Sequence, residues 1–191
     1  MDIKISDQAN LPSKFGQFQI QSFKEKLASG EEKEHLCIIK GDLKGVVNMR
    51  IHSECLTGDA LGSLKCDCGP QLEFALDYIE KNGGLIIYLR QEGRGIGLFN
   101  KVNAYALQDC GLNTIEANLK LGFKADERHY EVVDFILKHY QIKEVNLLTN
   151  NPLKLDSLGV KVLQRVPILI KANRFNEGYL KVKQEQMGHL L

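Results

Sequence analysis

The sequence is short of several features that usually announce a function. It has four prolines in 191 residues, and no internal repeat, low-complexity tract or Pro/Ser-rich linker divides it. One continuous domain over residues 1–191 is the expectation. It has no surplus of charge: 25 Lys and Arg stand against 24 Asp and Glu, leaving +1. A protein that coats nucleic acid ordinarily shows a strong basic excess, so no nucleic-acid partner is expected. A single nucleotide held by a few local Arg and Lys residues is still allowed. No stretch approaches the ~20 apolar residues of a membrane span, so no membrane partner is expected. The opening MDIKISDQANLPSKFG lacks the apolar centre of a signal peptide. A cytoplasmic location follows as an expectation, and there the five cysteines are not expected to form stable disulfides. Nor are disulfides needed, since a chain of this length can bury roughly 70% of its unfolded surface.

Two nucleotide-binding fingerprints are also missing. G-x-x-x-x-G-K-[ST] occurs nowhere, and in EGRGIGL the pattern G-x-G-x-x-G would need glycine where Leu98 stands. Binding of the Walker or Rossmann type is therefore set aside.

What is present is an alternation of strand and helix patterns. Strand-like runs rich in β-branched residues cover 15–23, 35–40, 46–52, 85–89, 145–148 and 160–166. Between them, PQLEFALDYIEKNGG places Leu72, Ala75, Leu76 and Ile79 on one helical face, with Pro70 in the first turn and Gly83 at the stop. LFNKVNAYALQDCG does the same with Leu98, Val102, Tyr105 and Ala106, ending at Gly111. Further helices are expected over ERHYEVVDFILKHY and GYLKVKQEQM, and the charged run Glu31–Glu34 reads as a solvated turn. The expected fold is α/β: a single layered domain with a mixed β-sheet flanked by helices and a β-rich N-terminal third.

Three of the cysteines lie close together. Cys55 is followed by ten residues and then Cys66-Asp67-Cys68. Thiolates are strong zinc ligands, and a Cys-X-Cys pair can put both sulfurs on one ion. Three protein ligands, rather than four, suit a catalytic site that keeps a position for water. The competing reading is three buried thiols, which fits Cys37 and Cys110 well. It fits Cys66 and Cys68 poorly, because they sit in a polar, glycine-bearing turn. His52 is open to two readings, a fourth ligand or a strand-end histidine that hydrogen-bonds.

YLRQEGRGIGLFNK reads as strand, turn and helix, and a helix N-terminus can bind an anion. Arg90, Glu92 and Arg94 crowd this turn. Arginines suit phosphate oxygens, and a carboxylate such as Glu92 complements a ligand edge made of donors, as guanine presents.

In order along the chain, RIHSECLTGDALGSLKCDCG, YLRQEGRGIGL, AYALQD, LGFKADER, LLTNNPLK and YLKVKQEQMGHLL resemble the GTP cyclohydrolase II family of riboflavin biosynthesis, in its stand-alone form. The resemblance implies hydrolysis of GTP to 2,5-diamino-6-ribosylamino-4(3H)-pyrimidinone 5′-phosphate, formate and pyrophosphate. It implies one Zn²⁺ per subunit on Cys55, Cys66 and Cys68, Mg²⁺ with the triphosphate, and a homodimer. Substrate contacts are implied at Arg50, Ile51, His52, Ser53 and Glu54, and at Gln71. Others fall at Glu92, Gly93 and Arg94, and at Thr114, Thr149 and Lys154. Asp126 is implied as proton acceptor, Arg128 as nucleophile, and Tyr105 as a participant in the ring chemistry. Guanidinium stays protonated in proteins, so a phosphate clamp at Arg128 stands beside the nucleophile. A core aromatic is the alternative for Tyr105. The LDSLGVKV segment after Lys154 is shorter than the family's usual helix.

Overall fold

The computed structural model describes residues 2–156 and 158–190. Its strands are β1 (Asp2–Ile5), β2 (Ala9–Ser13), β3 (Gly16–Lys26), β4 (Glu32–Lys40), β5 (Val46–Ser53), β6 (Gly84–Leu89), β7 (Glu144–Leu148) and β8 (Lys161–Val166). Its helices are α1 (Leu56–Asp59), α2 (Cys68–Asn82), α3 (Gly97–Asp109), α4 (Thr114–Lys120), α5 (Glu131–His139), α6 (Leu153–Asp156) and α7 (Glu177–Met187), with a 3₁₀ turn at Glu92–Gly95. The strands make one eight-stranded sheet in the order β1-β3-β4-β6-β5-β7-β8, with β2 also pairing β3. Pairings of β5 with β6 and β7, and of β7 with β8, are parallel. Those from β1 to β4, and of β4 with β6, are antiparallel. The mixed α/β sheet with a β-rich N-terminal third is the expected fold.

Side-chain alternation along the central strands decides what each face of the sheet meets. Met49 and Ile51 of β5, Leu85, Ile87 and Leu89 of β6, and Val145 and Leu147 of β7 pack against Val132, Val133, Ile136 and Leu137 of α5. Ile86 and Leu148 face the other way, toward Ala75 and Ile79 of α2. Each fully buried Leu or Ile contributes roughly 1.5–3 kcal/mol by leaving water, so both faces are fixed and a one-residue slip would invert them. The same alternation turns Arg50 and His52 away from the α5 core. The three parallel strands β5, β6 and β7 therefore end in loops at one edge of the sheet, where α/β sheets bind ligands.

Three expectations are corrected. Glu32–Glu34 belong to β4, paired with Lys24–Lys26 of β3, where Lys24 meets Glu32 and Glu34 at 3.3 and 3.0 Å. Opposite charges across the strands make a solvated strand end rather than a turn. The helix expected over 127–140 begins only at Glu131. Ahead of it, Gln91 takes both the N–H and the carbonyl of His129, at 3.1 and 2.6 Å, which removes them from helical bonding. In α3 the buried residues are Lys101 and Ala104, whereas Leu98 and Val102 are exposed. The apolar stripe points outward because the inner face serves a polar site. By contrast, α2 meets its expected limits, with Pro70 in the first turn and Gly83 at φ 69 closing onto the Ile79 carbonyl. Ser157, in the shortened segment after Lys154, lies outside the described residues. The strands β1 and β2, the short helix α1, and α4 had no counterpart in the sequence reading.

Candidate active site

The loop after β5 carries Cys55, and α2 begins with Cys68. Close approach of α1 to α2 brings the cysteines together. A Cβ at Gly69 would lie 2.4 Å from the Gly58 carbonyl oxygen, and one at Gly58 would meet the Cys66 and Cys55 sulfurs at 3.0 and 3.1 Å. Only glycine permits this contact. The three Sγ atoms lie within 4.8 Å of one another, and those of Cys55 and Cys66 are 3.7 Å apart. That is far too long for a disulfide. A tetrahedral zinc with bonds of about 2.3 Å holds its sulfurs about 3.8 Å apart, so the trio fits zinc. Hydrogen bonds from Cys66 and then Cys68 hold the Cys55 thiol far below its ordinary value, with Lys101 adding to the effect.

His52 is not the fourth member of this cluster. Its Nε2 pairs with Asp59 Oδ1 at 3.1 Å, and its ring stacks on Tyr88. Burial, ahead of all other causes, lowers its pKa. Asp59 also accepts from the Tyr88 hydroxyl at 2.8 Å and the Cys55 N–H at 3.0 Å. The histidine and aspartate thus brace the cysteine loop.

Lys101, which sequence reasoning passed over, occupies the centre of the site. Its ammonium donates to Glu92 Oε1 at 2.7 Å, Thr57 Oγ1 at 3.0 Å and Cys55 Sγ at 3.1 Å. Burial alone would lower its pKa, but Glu92 and the Cys55 thiolate outweigh burial and raise it. Glu92 is the counter-ion. Its other oxygen accepts from the Leu56 N–H at 2.6 Å, and Oε1 also takes the Gly93 N–H at 2.8 Å. Each oxygen already has a protein donor, and Oε2, with one, keeps room for a further donor from a ligand. Tyr105, one turn beyond Lys101, brings its hydroxyl 3.4 Å from Thr57 Oγ1, and burial raises its pKa. The i, i+4 spacing of Lys101 and Tyr105 on one helix face was the available signal.

A second group of charges lies at the same pocket. Arg50 donates to the Leu148 carbonyl at 3.0 Å and to Gln71 Oε1 at 2.6 Å. Burial brings its pKa down to about 10. Arg128 is held by Asp126 through Nε, at 2.8 Å, and through NH2. Burial would lower the Arg128 pKa, but Asp126 reverses the effect and raises it. Burial alone would raise the Asp126 pKa, and Arg128 instead brings it down. Lys154 donates to the Ile51 carbonyl at 2.8 Å, and among the described residues it makes no salt bridge. Burial, then Arg50 and Arg128, push it well below its ordinary value.

The cysteines, Arg50, His52, Ser53 and Glu54 line one pocket, with Gln71 from α2. Glu92, Gly93, Arg94 and Tyr105 line it from the glycine turn and α3, and Thr114 opens α4 beside them. Arg128, Thr149 and Lys154 complete the set. Two expected residues stand apart. Ile51 buries its side chain in the α5-facing core because strand alternation turns it away from Arg50 and His52, and it offers the site only its carbonyl. Asp126 acts at one remove, as the carboxylate that holds Arg128. Arg94 adopts φ 63, in the left-handed region, and donates to the Ala125 carbonyl at 3.4 Å. A Cβ at Gly95 would sit 2.9 Å from the Glu127 backbone, so glycine is needed where this turn meets the loop carrying Asp126 and Arg128. Among the described residues, buried atoms without a protein partner include Arg50 Nε, His52 Nδ1, Ser53 Oγ, Arg94 Nη2 and His189 Nε2. Such atoms in a pocket suit a polar ligand.

A family model described as GTP cyclohydrolase II matches residues 4–167. The chain is 68% identical to a GTP cyclohydrolase-2 from Campylobacter hominis, covering 100% of this chain and 97% of that one. It is 66% identical to one from Campylobacter fetus subsp. fetus, over 100% and 97% of the two chains. A Helicobacter pylori (strain J99) relative with the same description is 56% identical over 99% of this chain and 98% of its own.

Proposed function

The chain belongs to the GTP cyclohydrolase II family, and from that premise we propose that this hydrolase opens the imidazole ring of GTP, releasing C8 as formate and the outer phosphates as pyrophosphate. The product is 2,5-diamino-6-ribosylamino-4(3H)-pyrimidinone 5′-phosphate, which places the enzyme in riboflavin biosynthesis. One observation carries the reading. Three sulfurs at zinc spacing open onto the same pocket as Arg50, Arg128 and Lys154. A soft metal site and a cluster of buried cations are what ring hydrolysis and a triphosphate respectively require.

Cys55, Cys66 and Cys68 would hold the zinc. When bound there, zinc supplies an acidified water, the nucleophile that hydrolysis at C8 needs near neutral pH. Lys101 donates to the Cys55 sulfur and balances its charge, while Glu92 fixes Lys101. The Tyr105 hydroxyl, beside Thr57, is the group placed to carry protons to and from the opening ring. Arg50, Arg94 and Lys154 bind phosphate oxygens, with hydroxyls of Ser53 and Thr149 nearby. Mg²⁺ accompanies the triphosphate in this scheme, neutralising charge that the protein cations leave over.

For Arg128 the clamp is favoured over the nucleophile. Asp126 engages Nε and NH2 together, and this raises the cost of removing the guanidinium proton. A fixed guanidinium can stabilise charge on the departing pyrophosphate. A trapped guanylyl-enzyme that disappears in Arg128→Lys would establish the nucleophile instead.

A homodimer is part of the proposal. Its support is the outward apolar stripe of α3, where Phe99 is 79% exposed and Val102 54%. Apolar patches of this kind mark interaction surfaces. No helix among the described residues is long and apolar enough to cross a membrane. The cytoplasmic location is proposed from the substrate, GTP.

The test is metal content and turnover together. Purified protein is expected to carry one zinc per chain and to convert GTP with Mg²⁺. Cys66→Ser should lose both, and full turnover in that variant would overturn the reading.

A further inference from the structure

The family match ends at residue 167, yet the pocket does not. Tyr179, Lys183 and Met187 of α7, with His189 beyond it, form a wall of the same cavity. Two attachments hold this wall in place. Lys183 Nζ reaches Asp67 Oδ1 at 2.6 Å, a buried pair that joins α7 to the turn between Cys66 and Cys68. Past Met187 the chain reverses at Gly188, φ 66. The His189 N–H then bonds to the Lys183 carbonyl at 3.0 Å, and the Leu190 N–H to the Asn150 carbonyl at 2.8 Å. Asn150 follows Thr149 in the loop after β7. The terminal segment is thus pinned at both sides of the pocket, and the pins set the position of His189.

Nε2 of His189 is buried and, among the described residues, has no protein partner. Its charged surroundings are mostly cationic. Burial first, then Lys183 and Arg128, and further Lys154, lower its pKa to about 3, against one opposing carboxylate, Asp67. Lys183 has already engaged that carboxylate. A neutral imidazole among three cations can offer an N–H, and among the described residues no acceptor receives it. The acceptor missing from this corner is anionic, and a phosphate oxygen satisfies His189, Arg128 and Lys154 together. We propose that His189 is a further substrate-binding residue, donating from Nε2 to the phosphate chain of the nucleotide, and that the C-terminal segment is a structural wall of the nucleotide site.

This inference rests on the GTP reading, and the experiment separates the two. Wild-type protein is first assayed with GTP, Mg²⁺ and Zn²⁺; no turnover there defeats the GTP reading whatever His189 does. In active enzyme, KM for GTP, kcat and the inhibition constant of inorganic pyrophosphate are compared in His189→Ala and His189→Gln. His189→Ala is expected to raise KM and the pyrophosphate constant about ten-fold with little change in kcat, the cost of one charge-assisted hydrogen bond. His189→Gln, which keeps an N–H donor near the Nε2 position, is expected to recover most of that loss. Constants within about twofold of wild type in His189→Ala would overturn the proposal. Equal loss in both variants would also overturn it, by showing that the residue only supports the fold.

Discussion

At Lys154 an ammonium is buried to 5% exposure, with a single carbonyl as hydrogen-bond partner and Arg50 and Arg128 beside it. Its folded pKa lies below the ordinary lysine value, so charging it opposes folding. That penalty is fully present below the folded pKa. It fades as pH rises through that value and is gone above the unfolded pKa. Lys154→Met is therefore expected to stabilise the ligand-free protein at neutral pH by about 1–4 kcal/mol, or roughly 2–4 °C of melting temperature per kcal/mol. The gain should shrink toward alkaline pH. The same variant should raise KM for GTP at least about ten-fold if, as proposed, the phosphates meet this cation. Thermal melts across pH and steady-state kinetics check both halves, and a destabilised Lys154→Met with unchanged KM would show that the lysine only supports the fold. Much at this scale was legible. Cys55, Cys66 and Cys68 stood out by spacing, and Arg50, Arg94, Arg128 and Lys154 through the family resemblance. Lys101 and His189 were not, because a lysine on a helix and a histidine near a chain end look solvated until the fold buries them. Glu92 lines the pocket as expected, but its pairing with Lys101 was not legible, since nothing in the sequence joins the two.

Among the elements, the contact of α1 with α2 sets the spacing of the cysteine cluster. Alanine in a helix is ordinarily favoured over glycine by about 1 kcal/mol. At Gly69 the added Cβ would sit 2.4 Å from the Gly58 carbonyl oxygen, and the overlap costs about 1–3 kcal/mol. The clash wins, and it spreads Cys55 from Cys66 and Cys68. Gly69→Ala should melt lower and lose zinc about ten-fold more readily to a competing chelator. Unchanged metal affinity would mean that the cysteine loops adjust independently of the helix contact. Central strands and α2 were readable from alternation and from Pro70 and Gly83, local signals that tertiary contacts do not override. The start of α5 was not, because Gln91, 38 residues before His129 in sequence, claims that backbone. Nor was the inward face of α3, because its burial is against charge rather than against the sheet.

At the scale of the whole molecule, parallel β5, β6 and β7 gather sequence-distant loops at one edge of the sheet, and α7 returns to close the side they leave open. The outward stripe of α3 is expected to be covered by a second copy of the chain. Light scattering should give twice the mass of one chain, and Phe99→Glu should shift it toward one; a monomeric wild type would leave the stripe without the proposed partner. The sheet order was not available from the sequence, since pairing β4 with β6 instead of β5 depends on contacts between distant segments. The most direct measurement is the release of formate and pyrophosphate from GTP by the purified enzyme with Zn²⁺ and Mg²⁺, followed in one reaction. Equal amounts of the two, with the diaminopyrimidinone appearing at the same rate, are expected from a pocket that joins the three cysteines to Arg50, Arg128 and Lys154. Pyrophosphate without formate, or no consumption of GTP, would contradict it.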